Sequence, residues 1–120
     1  MPYAIEKKAR YLEIRVWGET SKHEVIAIIA ELDAKDRGKT LPDLWLVAGE
    51  SQVPFWDYRD IAESALSLLP AGAKGNKTAV VAANIFHKAQ LNMYREEAAI
   101  LPFPVRVFGS RDEAEAWLLA

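Results

Sequence analysis

The sequence predicts an α/β domain with a mostly parallel five-stranded sheet, an antiparallel edge strand at its N-terminal end, and helices on both faces. From residue 11 onward, strand-like segments alternate with segments whose apolar residues recur at helical spacing. The segments 44–48 and 78–83 are nearly all apolar, which is typical of strands covered on both faces. The chain has 120 residues, 51% apolar and 27% charged, which suits a single domain over 1–120.

The first two elements are predicted to be strands at 3–8 and 11–17. In the second, Leu12, Ile14 and Val16 alternate with Glu13 and Arg15, which is the period-2 pattern of a half-buried strand. Only two residues connect the segments, so we expect a hairpin. The hairpin makes the first strand the antiparallel edge of the sheet.

Three of the four predicted helices begin at a capping residue. Ser21 and Glu24 have capping-box spacing, and a buried stripe follows at Val25, Ile28, Ile29 and Leu32. A second helix covers about 56–69 and stops at Pro70. Asn84 caps a third helix at about 85–100, and Ser110 caps a C-terminal helix. With strands at 44–48, 78–83 and 105–108, the order is β-β-α-β-α-β-α-β-α. Three tryptophans fall in these stripes and are expected at the core or its edge: Trp17, Trp45 and Trp117.

The C-terminal half of the chain carries a family resemblance. The strand Val105-Arg106-Val107-Phe108 precedes a helix that closes on Trp117 and Leu118, and the strand 79–82 precedes a helix with Phe86, Ala89, Met93 and Tyr94. This combination resembles the SpoIIAA-like family of small bacterial proteins, which is grouped with STAS and Sec14-type domains. The resemblance implies the same fold over essentially the whole chain and a family of largely unknown activity.

The resemblance also implies what this chain lacks. STAS anti-sigma antagonists carry a phosphorylatable serine in an Asp-Ser-Ser-Gly turn, whereas the matching loop here, residues 49–54, reads Gly-Glu-Ser-Gln-Val-Pro. Only Ser51 lies near that position, so the phosphoswitch motif is missing. Sec14-type domains bind lipid in a larger cavity built with extra helices, for which this chain has little room.

Composition excludes several functional classes. The net charge is −2 and no basic run occurs, so we expect no nucleic-acid partner. The chain contains no cysteine and no apolar window of membrane-spanning length, and its N-terminus lacks the apolar stretch of a secretory signal. We therefore expect a cytoplasmic protein. The glycine- and lysine-containing segment 72–78 joins a helix to a strand, which is the wrong order for a phosphate-binding loop.

Polar residues gather at the loops that follow the parallel strands, where open α/β sheets bind ligands. These loops hold His23, Glu50, Ser51 and His87. A serine nucleophile with a histidine base is conceivable, but the Gly-x-Ser-x-Gly elbow lacks its second glycine. We favour the interpretation that Ser21, Ser110 and Asn84 are helix caps and that the histidines are solvated residues in the first turns of their helices. No ligand spacing predicts a metal site, so we expect no metal and no cofactor.

Aromatic residues crowd the start of the second helix. One interpretation packs Phe55 and another ring over the sheet edge as core. The other leaves Trp56 and Tyr58 exposed as a contact patch that Phe86 extends. Met93 is expected in the core because of its helical spacing.

Three functions are compatible with these features, and the first is favoured. It is a non-enzymatic protein-interaction or regulatory module, with a protein partner or as a homodimer, whose contact includes helix 56–69. The second is a small-molecule or acyl-chain binding domain with an apolar pocket between helices 56–69 and 85–100, lined by Phe55, Phe86 and Met93. The third is a serine hydrolase using Ser51. The candidate binding residues are Phe55, Trp56, Tyr58, Phe86, His87 and Ser51.

Overall fold

The described part of the chain forms five strands and four α-helices in the predicted order. The computed structural model describes residues 3–51 and 53–120; Met1, Pro2 and Gln52, which belongs to the loop predicted over 49–54, lie outside the described residues. A short 3-10 helix at Phe55–Asp57 replaces the start of the helix predicted over 56–69. Another at Ala98–Ile100 replaces the end of the helix predicted over 85–100. The elements are β1 Tyr3–Lys7, β2 Leu12–Val16, α1 Lys22–Lys35, β3 Asp43–Val47, α2 Tyr58–Leu68, β4 Thr78–Ala82, α3 Ile85–Glu97, β5 Val105–Phe108 and α4 Arg111–Leu118.

The sheet has the order β1-β2-β3-β4-β5. β1 pairs antiparallel with β2, and the remaining pairs are parallel, so the predicted mixed sheet with an antiparallel edge is confirmed. Each crossover moves one strand further in the same direction, and right-handed crossovers of that kind place their helices on one face. The described strands therefore contain no point at which the order reverses, which is where open sheets usually form a binding crevice.

The two faces of the sheet are covered unequally. α1 packs through Ile28 and Leu32 against Ile14 of β2, while α2 and α3 pack over Val80 of β4. The opposite face is covered by α4, whose Ala114 and Leu118 pack with Leu44, Ala79 and Phe108. Helices thus lie on both faces as predicted, three on one side and one on the other.

The helix caps form as the sequence predicts. Ser21 and Glu24 close a reciprocal capping box at the start of α1. The Asn84 side chain accepts a hydrogen bond from the His87 backbone N–H at 2.9 Å, and Ser110 caps α4. These polar side chains are N-terminal helix caps, as the sequence analysis proposed.

Three residues lie where the sequence pattern did not place them. Glu13 alternates with apolar residues as a solvent-facing residue would, but it is only 1% exposed and pairs with Arg111 and Arg15 under α4. Trp17 and Met93 were expected at the core, and both are exposed. Trp45 and Trp117 are confirmed as core-edge residues, packed against the apolar clusters of the two faces.

Candidate functional site

Two loops at the carboxyl edge of the sheet are held together through Gly18. Its carbonyl accepts a hydrogen bond from the Ser51 hydroxyl at 2.6 Å, and its N–H donates to a Glu50 carboxylate oxygen at 3.2 Å. Hydrogen bonds from the backbone N–H groups of Glu50 itself and of Gly18 lower the pKa of the Glu50 carboxyl. Ser51 and Glu50 therefore fasten the loop after β3 to the loop after β2.

The serine and the histidines are not arranged as a catalytic pair. The Ser51 hydroxyl donates to a backbone carbonyl, and Nδ1 of His87 accepts from the Ala83 N–H at 3.5 Å. His23 is exposed in the first turn of α1. Over residues 3–51 and 53–120, the structure contains no group of three or more histidine and carboxylate side chains that could hold a metal ion.

Four apolar side chains at this edge project into solvent, and we call them the apolar rim: Phe55, Trp56, Ile85 and Phe86. Phe86 is 85% exposed, Ile85 77% and Trp56 70%. The Phe55 and Trp56 rings meet edge to face with centroids 5.2 Å apart. Phe55 is thus not part of the core, contrary to one interpretation above. Gln90 of α3 donates to the Val53 carbonyl at 3.4 Å and ties the two sides of the rim together.

Tyr58 and His87 do not belong to the apolar rim. One of the two interpretations of the aromatic segment placed Tyr58 in an exposed patch with Trp56, and His87 was interpreted as solvated, but Tyr58 and His87 are only 3% and 1% exposed. Tyr58 begins α2 and turns inward, where its ring meets Tyr94 edge to face at 5.6 Å. Burial raises the pKa of the Tyr58 hydroxyl and lowers the pKa of the His87 imidazole.

A cavity of about 150 Å³ lies between the sheet and helices α1, α2 and α3. We call it the inner cavity. Tyr58 and His87 are part of its wall, and Ser51 and Val53 line it near the carboxyl edge of the sheet. The remaining wall is mostly aliphatic and aromatic, and it includes Ile29, Trp45, Val47, Ile61, Ala65 and Leu91.

The opposite end of the inner cavity is polar, and its charges are paired. The Lys39 ammonium lies 2.7 Å from a carboxylate oxygen of buried Asp43 and 3.1 Å from the Lys77 carbonyl. The Thr78 hydroxyl donates to the same Asp43 oxygen. Tyr94 lines the wall nearby, and burial together with the charge of Asp43 raises the pKa of its hydroxyl. This end is a satisfied hydrogen-bonded cluster.

The inner cavity lies between the two helices that the sequence analysis named, but with a different wall. Phe55, Phe86 and Met93 were expected to line it, and all three face outward instead. The residues that do line it on α3 are His87, Leu91 and Tyr94, at i, i+4 and i+7. That spacing is the signature of one buried helix face, and it could have identified His87 as an inward residue.

The fold resembles a solved structure. No family model and no curated protein matches the chain. The crystal structure of an uncharacterized protein of the DUF3478 family with a SpoIIAA-like fold, from Shewanella loihica PV-4, superposes with a TM-score of 0.58. The match covers 98% of this chain and 92% of that chain at 15% sequence identity. The chain therefore has a SpoIIAA-like fold, as its sequence resemblance predicted.

The helices of the described residues are also informative. None of those in 3–51 and 53–120 is long and apolar enough to cross a membrane.

Proposed function

We propose that this protein is a non-enzymatic binding module that holds a small apolar molecule in the inner cavity. The observation that carries the proposal is the cavity itself, about 150 Å³ in volume and bounded largely by apolar side chains of the sheet, α1, α2 and α3. Apolar cavities of about this size stay dry and take up molecules the size of benzene.

The energetics of packing favour an occupant. Protein interiors are close-packed, and residual cavities cost about 24 cal/mol per Å³. By that measure a cavity of this size costs roughly 3–4 kcal/mol, a large part of the roughly 5–15 kcal/mol by which a domain is stable. An apolar ligand offsets this cost by restoring contacts to the wall. The geometry thus supports the pocket function that the sequence analysis ranked second.

A non-catalytic role fits the chemistry of the same region. The Ser51 hydroxyl proton is engaged by the Gly18 carbonyl, and Glu50 is engaged by the Gly18 N–H, so neither is arranged to attack or to orient a base. The cytoplasmic location and the absence of a cofactor inferred from the sequence remain part of this proposal.

Filling the inner cavity tests the proposal. Ala65 lies on α2 in the cavity wall, so Ala65→Leu places three further carbon atoms in the space that a ligand would use. We expect the mutation to weaken toluene binding at least tenfold, measured by titration calorimetry, while the thermal midpoint of unfolding stays the same or rises.

The matched control is Ala27→Leu, because Ala27 is an exposed alanine on α1. This variant should bind toluene as the wild type does. The proposal is wrong if saturating toluene shows no binding to the wild-type protein, or if Ala65→Leu and Ala27→Leu bind it equally well.

The apolar rim supports a second function, self-association, which is one form of the protein-interaction module that the sequence analysis ranked first. Exposed tryptophan and phenylalanine side chains are the residues that most often dominate protein interfaces. The rim is compact because two loops present it side by side, and a second copy of the chain would cover it with an equivalent rim. The net charge of −2 adds little repulsion between copies.

Replacing two rim residues tests self-association. We expect Trp56→Ser combined with Phe86→Ser to weaken dimerisation at least tenfold in sedimentation equilibrium. Leu66→Ser is the control, since Leu66 is an exposed leucine on α2 outside the rim. A wild-type protein that sediments as a monomer at all concentrations rules out this second function.

A further inference from the structure

We infer that the occupant of the inner cavity is a neutral apolar molecule with one hydrogen-bond acceptor, such as a carbonyl oxygen, and that Nε2–H of His87 binds this acceptor. The inference rests on the proposed binding function and specifies its ligand.

The hydrogen bonding of His87 determines which ring nitrogen carries the proton. Nδ1 accepts a hydrogen bond from the Ala83 N–H at 3.5 Å, so in the neutral ring the proton is on Nε2. Burial lowers the pKa of this imidazole, which keeps the ring neutral at pH 7. His87 therefore offers one donor, and that donor is on the side of the ring away from Ala83.

The Nε2 donor has no partner within the protein. Among the residues that the structure describes, it is the buried side-chain nitrogen or oxygen atom that lacks a hydrogen bond. The side chain is 1% exposed, so bulk water does not supply the missing acceptor. Buried polar groups in native proteins are nearly always paired, and an unpaired one calls for an explanation. Because His87 lines the inner cavity, an acceptor on the occupant supplies the missing partner.

The other polar groups at this end of the cavity are already engaged. The hydroxyl groups of Ser51 and Thr20 both donate to the Gly18 carbonyl, at 2.6 and 3.2 Å. Tyr94 also lines the cavity, but it is two turns further along α3, roughly 10 Å along the helix axis. The Tyr58 hydroxyl is hydrogen-bonded with Gln90. Among the described residues, Nε2 of His87 is therefore the buried side-chain donor near the carboxyl edge that has no partner.

The charge of the wall determines the charge of the ligand. A carboxylate beside His87 would be buried against a neutral ring, and an ammonium ion would face an N–H donor, so both would be strongly disfavoured. The charged residues Lys39 and Asp43 at the far end neutralise each other. Small ketones, aldehydes and esters meet these requirements.

A pair of isosteric probes separates the hydrogen bond from apolar burial. Acetophenone carries a carbonyl where α-methylstyrene carries a methylene group of similar shape. We expect the wild-type protein to bind acetophenone about fivefold more tightly in titration calorimetry, in line with the net value of one buried hydrogen bond. His87→Leu should abolish that preference while it retains α-methylstyrene binding.

Two matched variants complete the test. His23→Leu removes the exposed histidine of α1, and Tyr94→Phe removes a hydroxyl group from the same face of α3 that carries His87; both should keep the preference for acetophenone. Should His87→Leu fail to fold, nitrogen NMR of the wild-type histidines gives the same information. Acetophenone should shift the Nε2 resonance of His87, and α-methylstyrene should leave it in place.

The possible failures are distinguishable. If neither probe binds the wild-type protein, the inner cavity does not bind ligands and the proposed function fails together with this inference. If both probes bind but the preference survives in His87→Leu or disappears in Tyr94→Phe, the cavity function stands and the role of His87 is wrong.

Discussion

Replacing Gly75 with alanine should destabilise the protein by about 3 kcal/mol, from two separate causes. Gly75 has a φ of +74°, in the left-handed region where a Cβ atom is strained. A Cβ at this position would also lie 2.7 Å from Cδ2 of Phe103, well inside van der Waals contact. Phe103 is a buried ring, and a Cβ at residue 75 would displace it from its packed position.

Gly72 provides the control for this prediction. It has a similar φ of +82°, but a Cβ there would meet nothing within 4 Å. Gly72→Ala should therefore cost only the backbone strain, about 1 kcal/mol. Urea denaturation of the two variants measures the difference. Equal losses would mean that the approach of Gly75 to Phe103 does not constrain the folded state.

Replacing Arg111 with methionine should destabilise the protein by about 2–3 kcal/mol, because it leaves the Glu13 carboxylate buried with a single partner. Arg111 pairs with Glu13 through Nη2, and it also donates to the Tyr11 hydroxyl at 3.2 Å and to a Glu115 oxygen at 2.7 Å. Arg15, the remaining partner of Glu13 at 3.0 Å, is more than half exposed and compensates only in part.

Two further variants distinguish this cause from the loss of any arginine. Arg37→Met removes a largely exposed partner of Asp33 and should cost less than about 0.5 kcal/mol. Adding Glu13→Gln to Arg111→Met should recover part of the lost stability, because a neutral amide is less costly to bury than an unpaired carboxylate. Chemical denaturation measures the free energy of unfolding of both variants. A double variant that is less stable than Arg111→Met alone would contradict the explanation.

The fold could be predicted because local signals and tertiary structure agree along most of the chain. The capping box at Ser21 and the side-chain cap at Ser110 start helices in the structure, and the apolar segments 44–48 and 78–83 supply the central strands β3 and β4. The alternation of elements then determined the parallel pairing, since a crossover helix joins each strand to the next.

The candidate site was harder to predict because it depends on which way individual side chains face. Trp56 and Tyr58 are two residues apart in the sequence, yet one is 70% exposed and the other is buried, because residues two apart on a helical turn face different sides. Glu13 is a similar case in a strand. The period-2 pattern identified the face of the sheet on which it lies, but that face is covered by α4 and Arg111, which are distant in the sequence.

Because strands β2 to β5 lie in sequence order across the sheet, α1, α2 and α3 form a layer on one face and α4 forms the layer on the other. The two layers differ in packing. The layer of α1, α2 and α3 encloses the inner cavity together with the sheet, and its helices can shift around that space. α4 instead packs directly on the sheet through Ala114 and Leu118. If the inner cavity binds a ligand as proposed, we therefore expect any rearrangement to be confined to the layer of α1, α2 and α3. Hydrogen exchange can measure this difference. The exchange rates of the α4 amides should not change on ligand binding, so they are a reference for the exchange rates of the amides in α1, α2 and α3.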